Sequence, residues 1–176
     1  QTIAGDARET ANQGLREMFG YFVRLVTARR AERRDDLISV LTDAEMDGES
    51  LTDEEILYFC YLLIVAGNET TRNAIAHGMH LLTANPDQKA AWQADVDGLA
   101  ATAVEEIVRW ATPVIHFRRT ATRDTVLRGQ QIREGDRLLL LYPSGNRDTS
   151  EFQDPDRLDI TRDPNRHLAL GAGIHF

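Results

Sequence analysis

Three places in the sequence carry residues whose types and spacing could do chemistry. The first is Ala66-Gly67-Asn68-Glu69-Thr70-Thr71. Gly67 removes a side chain, so a small molecule can approach the backbone closely there. Thr70 can bond its hydroxyl back to the carbonyl of Ala66, four residues earlier, which bends a helix. Such a bend frees backbone polar groups to hold a small molecule or water. Glu69 puts an ionisable group beside the opening, and an acid next to an alcohol could relay protons. The same residues also read as a helix with a tolerated glycine and a satisfied polar patch.

The second place is Glu106 and Arg109, three apart. Such a pair meets on a helix, and exposed pairs of this kind are common and weak. The third is the stretch 165–176, Asn-Arg-His-Leu-Ala-Leu-Gly-Ala-Gly-Ile-His-Phe. Gly171 and Gly173 allow tight turns, and His167 and His175 flank them. Gly-x-Gly is a weak nucleotide motif here, because no helix follows it. His77 and His80 could share a metal, but no third ligand is evident in the neighbouring turns. Trp92 and Trp110 read as packing residues.

These groups need elements to position them. Leu15, Met18, Phe19, Phe22, Val23 and Val26 recur at helical spacing. Arg29, Arg30, Arg33 and Arg34 follow in the last turns, where cations suit the helix dipole; they read as a solvated helix end or as a docking patch. A short helix carries Leu37, Ile38 and Leu41, and Asp47-Gly48-Glu49 is a turn. Thr52 and Glu55 form a capping box. No proline follows until Pro86, so one helix of about thirty residues is expected there, roughly 50 Å long. Its first half, residues 56–65, is apolar nearly all round, which predicts burial on every side. Asn85-Pro86 opens a short helix through Ala90, Ala91 and Trp92. Another helix spans residues 99–111 and stops before Pro113. Short strands are expected at 126–127, 131–132 and 138–142, with Gly129 and Gly135 at turns. From residue 143 on there is little periodicity.

Composition narrows the class. The chain has 176 residues, 42% of them hydrophobic and 27% charged, a balance that excludes wholesale disorder. Its formal charge of −8 disfavours a nucleic-acid or anionic-membrane partner. Cys60 is the single cysteine, so no internal disulfide forms and a reducing, cytoplasmic setting fits best. The longest apolar run, residues 56–67, is about half of a bilayer span. The chain begins at Gln1 rather than methionine, which suggests that a natural N-terminus precedes it.

Taken in order, AGNETT, the Glu106–Arg109 step before Pro113, FRRTATRD, the GxxIxxGD hairpin, SGNRD, FxDPDRLDI and HLALGAGIHF resemble the cytochrome P-450 superfamily. The chain is similar to a bacterial haem-thiolate monooxygenase over essentially its whole length. The resemblance implies a mainly α fold with a small β-hairpin region, read as one partial domain. Residues 1–51 would be the end of helix G and helix H, 52–85 helix I, and 86–112 helices J and K. Residues 113–142 would be short strands, and 143–176 the meander and the start of the haem-binding loop.

The resemblance also assigns roles. Glu69 and Thr70 would be the acid–alcohol pair that delivers protons, and Ala66 and Gly67 the oxygen groove. Glu106, Arg109 and Arg157 would be a structural Glu-Arg-Arg triad. Arg119 and His175 would bind the haem propionates. Leu170 stands where the family usually has phenylalanine. The haem-ligating cysteine would follow Phe176. Cys60 is a poor substitute, since it lies ten residues before Thr70, roughly 15 Å along the helix, among apolar residues with no cation to favour a thiolate.

The parent protein is thus expected to hydroxylate an apolar substrate, a sterol, terpenoid or fatty chain. It would use haem b, dioxygen and electrons from a ferredoxin-type partner. The 176-residue chain alone is expected to be inactive, to lack haem, and to associate or swap helices. A non-catalytic fragment and a helical interaction module that docks through the arginine cluster are the alternatives.

Overall fold

Met18, Phe22, Leu25 and Val26 recur every few positions and give the first helix, α1 (Ile3–Ala31), an apolar stripe. The computed structural model describes residues 3–173. The chain divides into two units, Gln1–Asn68 and Glu69–Phe176.

In the first unit the stripe of α1 closes on α2 (Leu37–Asp43) and on the opening turns of α3 (Asp53–Ala84). Phe22, Val26, Ile38, Leu41, Ile56 and Cys60 form the core, flanked by Met18, Leu25, Leu51 and Leu57. A two-stranded ribbon, β1 (Glu45–Met46) and β2 (Glu49–Ser50), joins α2 to α3. It turns through Asp47 and Gly48 at φ of 56° and 84°, the left-handed pair that a tight hairpin requires. The capping box forms as expected: Thr52 N donates to Glu55 Oε2 at 2.8 Å, and Glu55 N donates to Thr52 Oγ1 at 3.3 Å.

The expectation for residues 56–65 holds only on one side. Ile56 and Cys60 are buried, whereas Tyr58, Phe59, Leu62, Leu63, Ile64 and Val65 are 43–59% exposed. One helix face meets α1 and α2; among the described residues of this unit nothing covers the rest. No described helix is long and apolar enough to cross a membrane.

Three arginines of the cluster pair with aspartates of their own unit. Arg29 Nε pairs with Asp36 at 2.5 Å, Arg30 with Asp53 at 2.7 Å and Arg33 with Asp43 at 3.0 Å. Asp36 also caps α2 by accepting from Ser39 N at 2.9 Å. That backbone N–H, with Arg29 beside it, holds the Asp36 carboxyl below the usual carboxylate range.

The second unit is built on α4 (Pro86–Ala94) and α5 (Val96–Ala111) with the later turns of α3. Helix α5 starts three residues earlier than its periodicity suggests, because Asp95 caps it through Gly98 N at 3.0 Å. At Gly78 a Cβ would stand 3.0 Å from Ile107 Cγ2, so the missing side chain lets α3 approach α5 closely. Ala74, Ile75, Met79, Trp92, Val104 and Val108 help line an apolar cleft of about 230 Å3 along these helices.

Two hairpin pairs follow. Strand β3 (His116–Thr120) runs antiparallel to β6 (Arg137–Leu141), with His116 opposite Leu141 and Thr120 opposite Arg137. Strand β4 (Thr125–Leu127) pairs with β5 (Gln130–Ile132) through Arg128 and Gly129, both at positive φ. Strand β3 is absent from the sequence expectation, since His-Phe-Arg-Arg-Thr shows no clean apolar alternation. Tyr142 begins a short turn of helix, α6 (Tyr142–Gly145), instead of ending a strand, because Pro143 sits well in a first helical turn. Beyond it, residues 146–173 have no regular element, as the lack of periodicity implies.

Candidate functional site

What orders residues 146–173 is a polar hub on α5. Glu106 and Arg109 lie one turn apart on the face of α5 that the second unit buries, and both are fully buried. They form a bidentate pair, Arg109 Nε to Glu106 Oε2 at 2.7 Å and Nη2 to Oε1 at 2.9 Å. A buried pair of this kind is useful only if its remaining valences are satisfied. Here they are. Arg109 Nη1 donates to the carbonyls of Asn146 at 2.6 Å and Pro155 at 3.0 Å. Glu106 accepts from Asp159 N at 3.0 Å, Arg162 Nε at 3.1 Å and Asn165 Nδ2 at 3.1 Å. The Arg109 guanidinium also lies over the rings of Trp110 and Phe152, 5.5 and 5.2 Å away.

The third member of this cluster is Arg162, not Arg157. Arg162 reaches Glu106 and donates to the carbonyls of Gln153, Asp154 and Arg157. Arg157 is exposed. The reason is a turn: Arg157 N is tied to Asp154 O, and the chain then doubles back so that Arg162, five residues on, faces α5. A DPDR string fixes the order of residues but not which arginine the fold turns inward. Nearby, Asp159 accepts from the Thr161 hydroxyl and backbone, and the hydroxyl above all keeps its carboxyl below the ordinary range.

A second set of bonds closes the C-terminal end of α5. Thr112 caps the helix in the left-handed region, at φ of 41°, which is unusual for a β-branched residue. Its hydroxyl donates to Arg109 O at 2.7 Å and accepts from Asn146 Nδ2 at 2.9 Å, which over-determines that conformation. Asn146 Oδ1 accepts from Leu168 N at 2.6 Å. His167, which the sequence marks only as flanking the glycines, is buried against Glu105 at 2.7 Å. Asn146, Arg162 and Glu105 are the site residues that sequence reasoning misses. The SGNRD motif contains the first, but nothing in its spacing reveals that it reaches α5.

The acid–alcohol pair lies on α3. The helix runs continuously through residues 66–71. A hydroxyl that shares a carbonyl with the backbone need not break the ladder. Gly67 faces open space. Ala66 and Thr70 each have an interaction partner. Glu69 is exposed and held by Arg72, whose Nη2 donates to Oε1 at 2.7 Å and Oε2 at 2.6 Å. His77 and His80 are exposed, and no group of three ligating residues occurs among the described residues.

Arg119 stands exposed on β3 with its guanidinium 5.5 Å from the Phe117 ring. Leu138 and Leu140 pair opposite Arg119 and Phe117, so all four side chains share one face of the ribbon. A cation beside an exposed apolar face suits the edge of a flat, largely apolar cofactor that carries carboxylates. These residues fit the periphery of a haem. They offer no axial thiolate. Cys60 is buried in the first unit, and burial pushes its thiol up, away from the ionised form. His175 lies outside the described residues.

The family model of the cytochrome P-450 proteins matches residues 3–166. The chain is 54% identical over 157 residues to a methyl-branched lipid omega-hydroxylase of Mycobacterium tuberculosis, a match covering 89% of this chain and 37% of that protein. It is 42% identical over 178 residues to a steroid C26-monooxygenase of Mycolicibacterium smegmatis, covering 99% and 44%. Among solved structures, a Mycobacterium marinum cytochrome P-450 in complex with pseudoionone matches at 48% identity and a TM-score of 0.81, over 91% of this chain and 39% of that one. A Bacillus megaterium cytochrome P-450 in complex with testosterone matches at 34% identity and a TM-score of 0.94, over 99% and 48%. The chain therefore spans less than half the length of these relatives.

Proposed function

This chain belongs to the cytochrome P-450 family, and from that premise we propose that it is part of a haem-thiolate monooxygenase that hydroxylates an apolar lipid or steroid. The observation that carries the reading is the 54% identity over 157 residues to a lipid omega-hydroxylase. When bound, the haem supplies the dioxygen chemistry, and the protein supplies orientation, exclusion of water and protons.

Each proposed role follows from what the side chains can do. The Glu106–Arg109–Arg162 cluster acts as a fixed post that holds the tail against α5 and takes no part in the reaction. Arg119, and His175 at the other end of the tail, hold the cofactor carboxylates, with Phe117 packing beside the arginine. Ala66 and Gly67 keep the side chains small on one stretch of α3 so that a small molecule fits against it. Thr70 Oγ1 hands a proton inward from α3, and Glu69 recharges it from solvent. Arg72 competes for Glu69, so the carboxylate must turn from Arg72 to serve Thr70. Were a haem bound, Cys60, buried and with its thiol pushed away from the ionised form, would not supply the thiolate, and the 176 residues alone are inactive on this reading. A ferredoxin-type protein delivers the electrons.

The test uses the full-length protein. Reduced and exposed to carbon monoxide, it should give the spectrum of thiolate-ligated haem, and it should hydroxylate a methyl-branched fatty chain or a steroid side chain. Imidazole-type ligation in the full-length protein would remove the reading.

A further inference from the structure

Glu105 and Glu106 are neighbours on α5 but hold different parts of the tail. Glu106 takes Asp159, Arg162 and Asn165, while Glu105 takes His167. The His167 ring is nearly enclosed, and both its nitrogens are used. Nε2 lies 2.7 Å from Glu105 Oε2, and Nδ1 accepts the backbone N–H of Ala169 at 3.3 Å. A ring nitrogen that accepts carries no proton, so this pair of bonds matches the tautomer with its proton on Nε2, donated to Glu105. The backbone on the far side of the ring is held too, through Leu168 N to Asn146 Oδ1 and Gly171 N to Leu168 O at 3.0 Å. Past these bonds Gly171 and Gly173 turn at φ of 100° and 91°.

We propose that His167 is a positioning residue, a neutral clamp that ties the glycine-bearing segment 168–173 to α5 through one bond from each ring nitrogen. What that segment positions rests on the proposed haem-binding function; the clamp itself rests on the two ring bonds. A charged His167 paired with Glu105 is the competing arrangement. It would turn an Nδ1–H against the Ala169 N–H, two donors facing each other. Arg166 beside it is exposed, Glu106 and Arg162 bind each other, and among the described residues Glu105 is the charged group bonded to the ring.

The two nitrogens can be tested separately. His167→Asn places an acceptor where Nδ1 stands, and His167→Gln places a donor where Nε2 stands. In the full-length haem-loaded protein, Ala169 amide exchange should stay near wild type in H167N and rise about ten-fold in H167Q, the effect of losing one hydrogen bond. Glu105→Gln keeps a neutral acceptor for Nε2, so it should leave Ala169 exchange unchanged; slower Ala169 exchange in E105Q, the sign of an Nδ1 that loses its proton only when the carboxylate is gone, would instead favour the charged pair and overturn the clamp. Ring nitrogen shifts of the wild type should report the Nε2–H tautomer, a measurement that needs no variant to fold. A proton on Nδ1, or equal exchange at Ala169 in H167N and H167Q, would also overturn the proposal. Haem retention, followed in the same samples, should fall in both variants, since each removes one of the two bonds through which the ring ties the segment to α5. If the wild type binds no haem, the oxygenase reading fails, while ring tautomer and Ala169 exchange still decide the clamp.

Discussion

Glu106 is the residue on which the second unit depends most. Its carboxylate is fully buried and has two guanidinium groups and a backbone N–H on it. Removing it leaves Arg109 charged and unpaired in the interior, so Glu106→Ala should cost about 3–5 kcal/mol in urea unfolding. Arg109→Ala should cost a similar amount, for the mirror reason. Arg157→Ala should be close to neutral, and a large loss there would restore it as the third arginine. Thr70 has a different signature. In the full-length protein Thr70→Ala should leave substrate binding intact, lower product per electron and raise peroxide, because a methyl group hands on no proton. Unchanged coupling would reduce Thr70 to a helix residue. The AGNETT string places Thr70 and Glu69 side by side on one helix, and the structure has both on α3. Arg72 was overlooked although it lies only three residues on, because such pairs on exposed helices are too common to stand out.

At the scale of elements, what was legible in the sequence follows the range of the forces involved. The capping box at Thr52, the long α3, and the turns at Asp47-Gly48 and Arg128-Gly129 are local, and local chemistry decides them. The start of α5 lies three residues before the expected one because Val96-Asp97-Gly98 carries a single large apolar residue, too few to show a helical period beside the Asp95 cap. The inward turn of Arg162 depends on residues more than fifty positions away, which no spacing rule reaches. Gly78 shows the same limit. Nothing in its neighbourhood in the sequence marks it, and it is the point where α3 meets Ile107 on α5. Gly78→Leu should therefore destabilise the second unit by about 1–3 kcal/mol through overpacking, read as a lower urea midpoint. Gly67→Ala should change stability far less, since nothing stands near it. The cap of α2 gives a pH signature. The Asp36 carboxyl is more acidic folded than unfolded, so its contribution is complete above the unfolded carboxylate range and fades as pH falls through the folded value. Helicity at α2, followed by amide exchange, should drop on acidification, and Asp36→Ala should show the loss already at neutral pH.

The whole molecule carries more apolar surface than two small cores require. Six large apolar side chains of α3 and the cleft beside Val104 and Val108 face outward. Exposed apolar patches on this scale mark surfaces that bind something. In isolation the 176-residue chain should associate, and sedimentation should show species heavier than 19.8 kDa. A stable monomer at micromolar concentration would mean that these faces tolerate water. The arginine cluster does not provide a docking charge in the same way, because Arg29, Arg30 and Arg33 are each neutralised by an aspartate of their own unit.

The reach of Glu106 also has a consequence in time. Its partners Asp159, Arg162 and Asn165 lie 53, 56 and 59 residues downstream. A chain made from its N-terminus emerges with α5 complete and Glu106 still in water, and the carboxylate can be desolvated only after the last of these residues arrives. Closing so long a loop is slow and costs entropy before it returns any contact. The second unit thus cannot settle piece by piece as it is synthesised. Its ordering waits for the tail, and until then the Glu106–Arg109 pair of α5 stands in water where the interior will be.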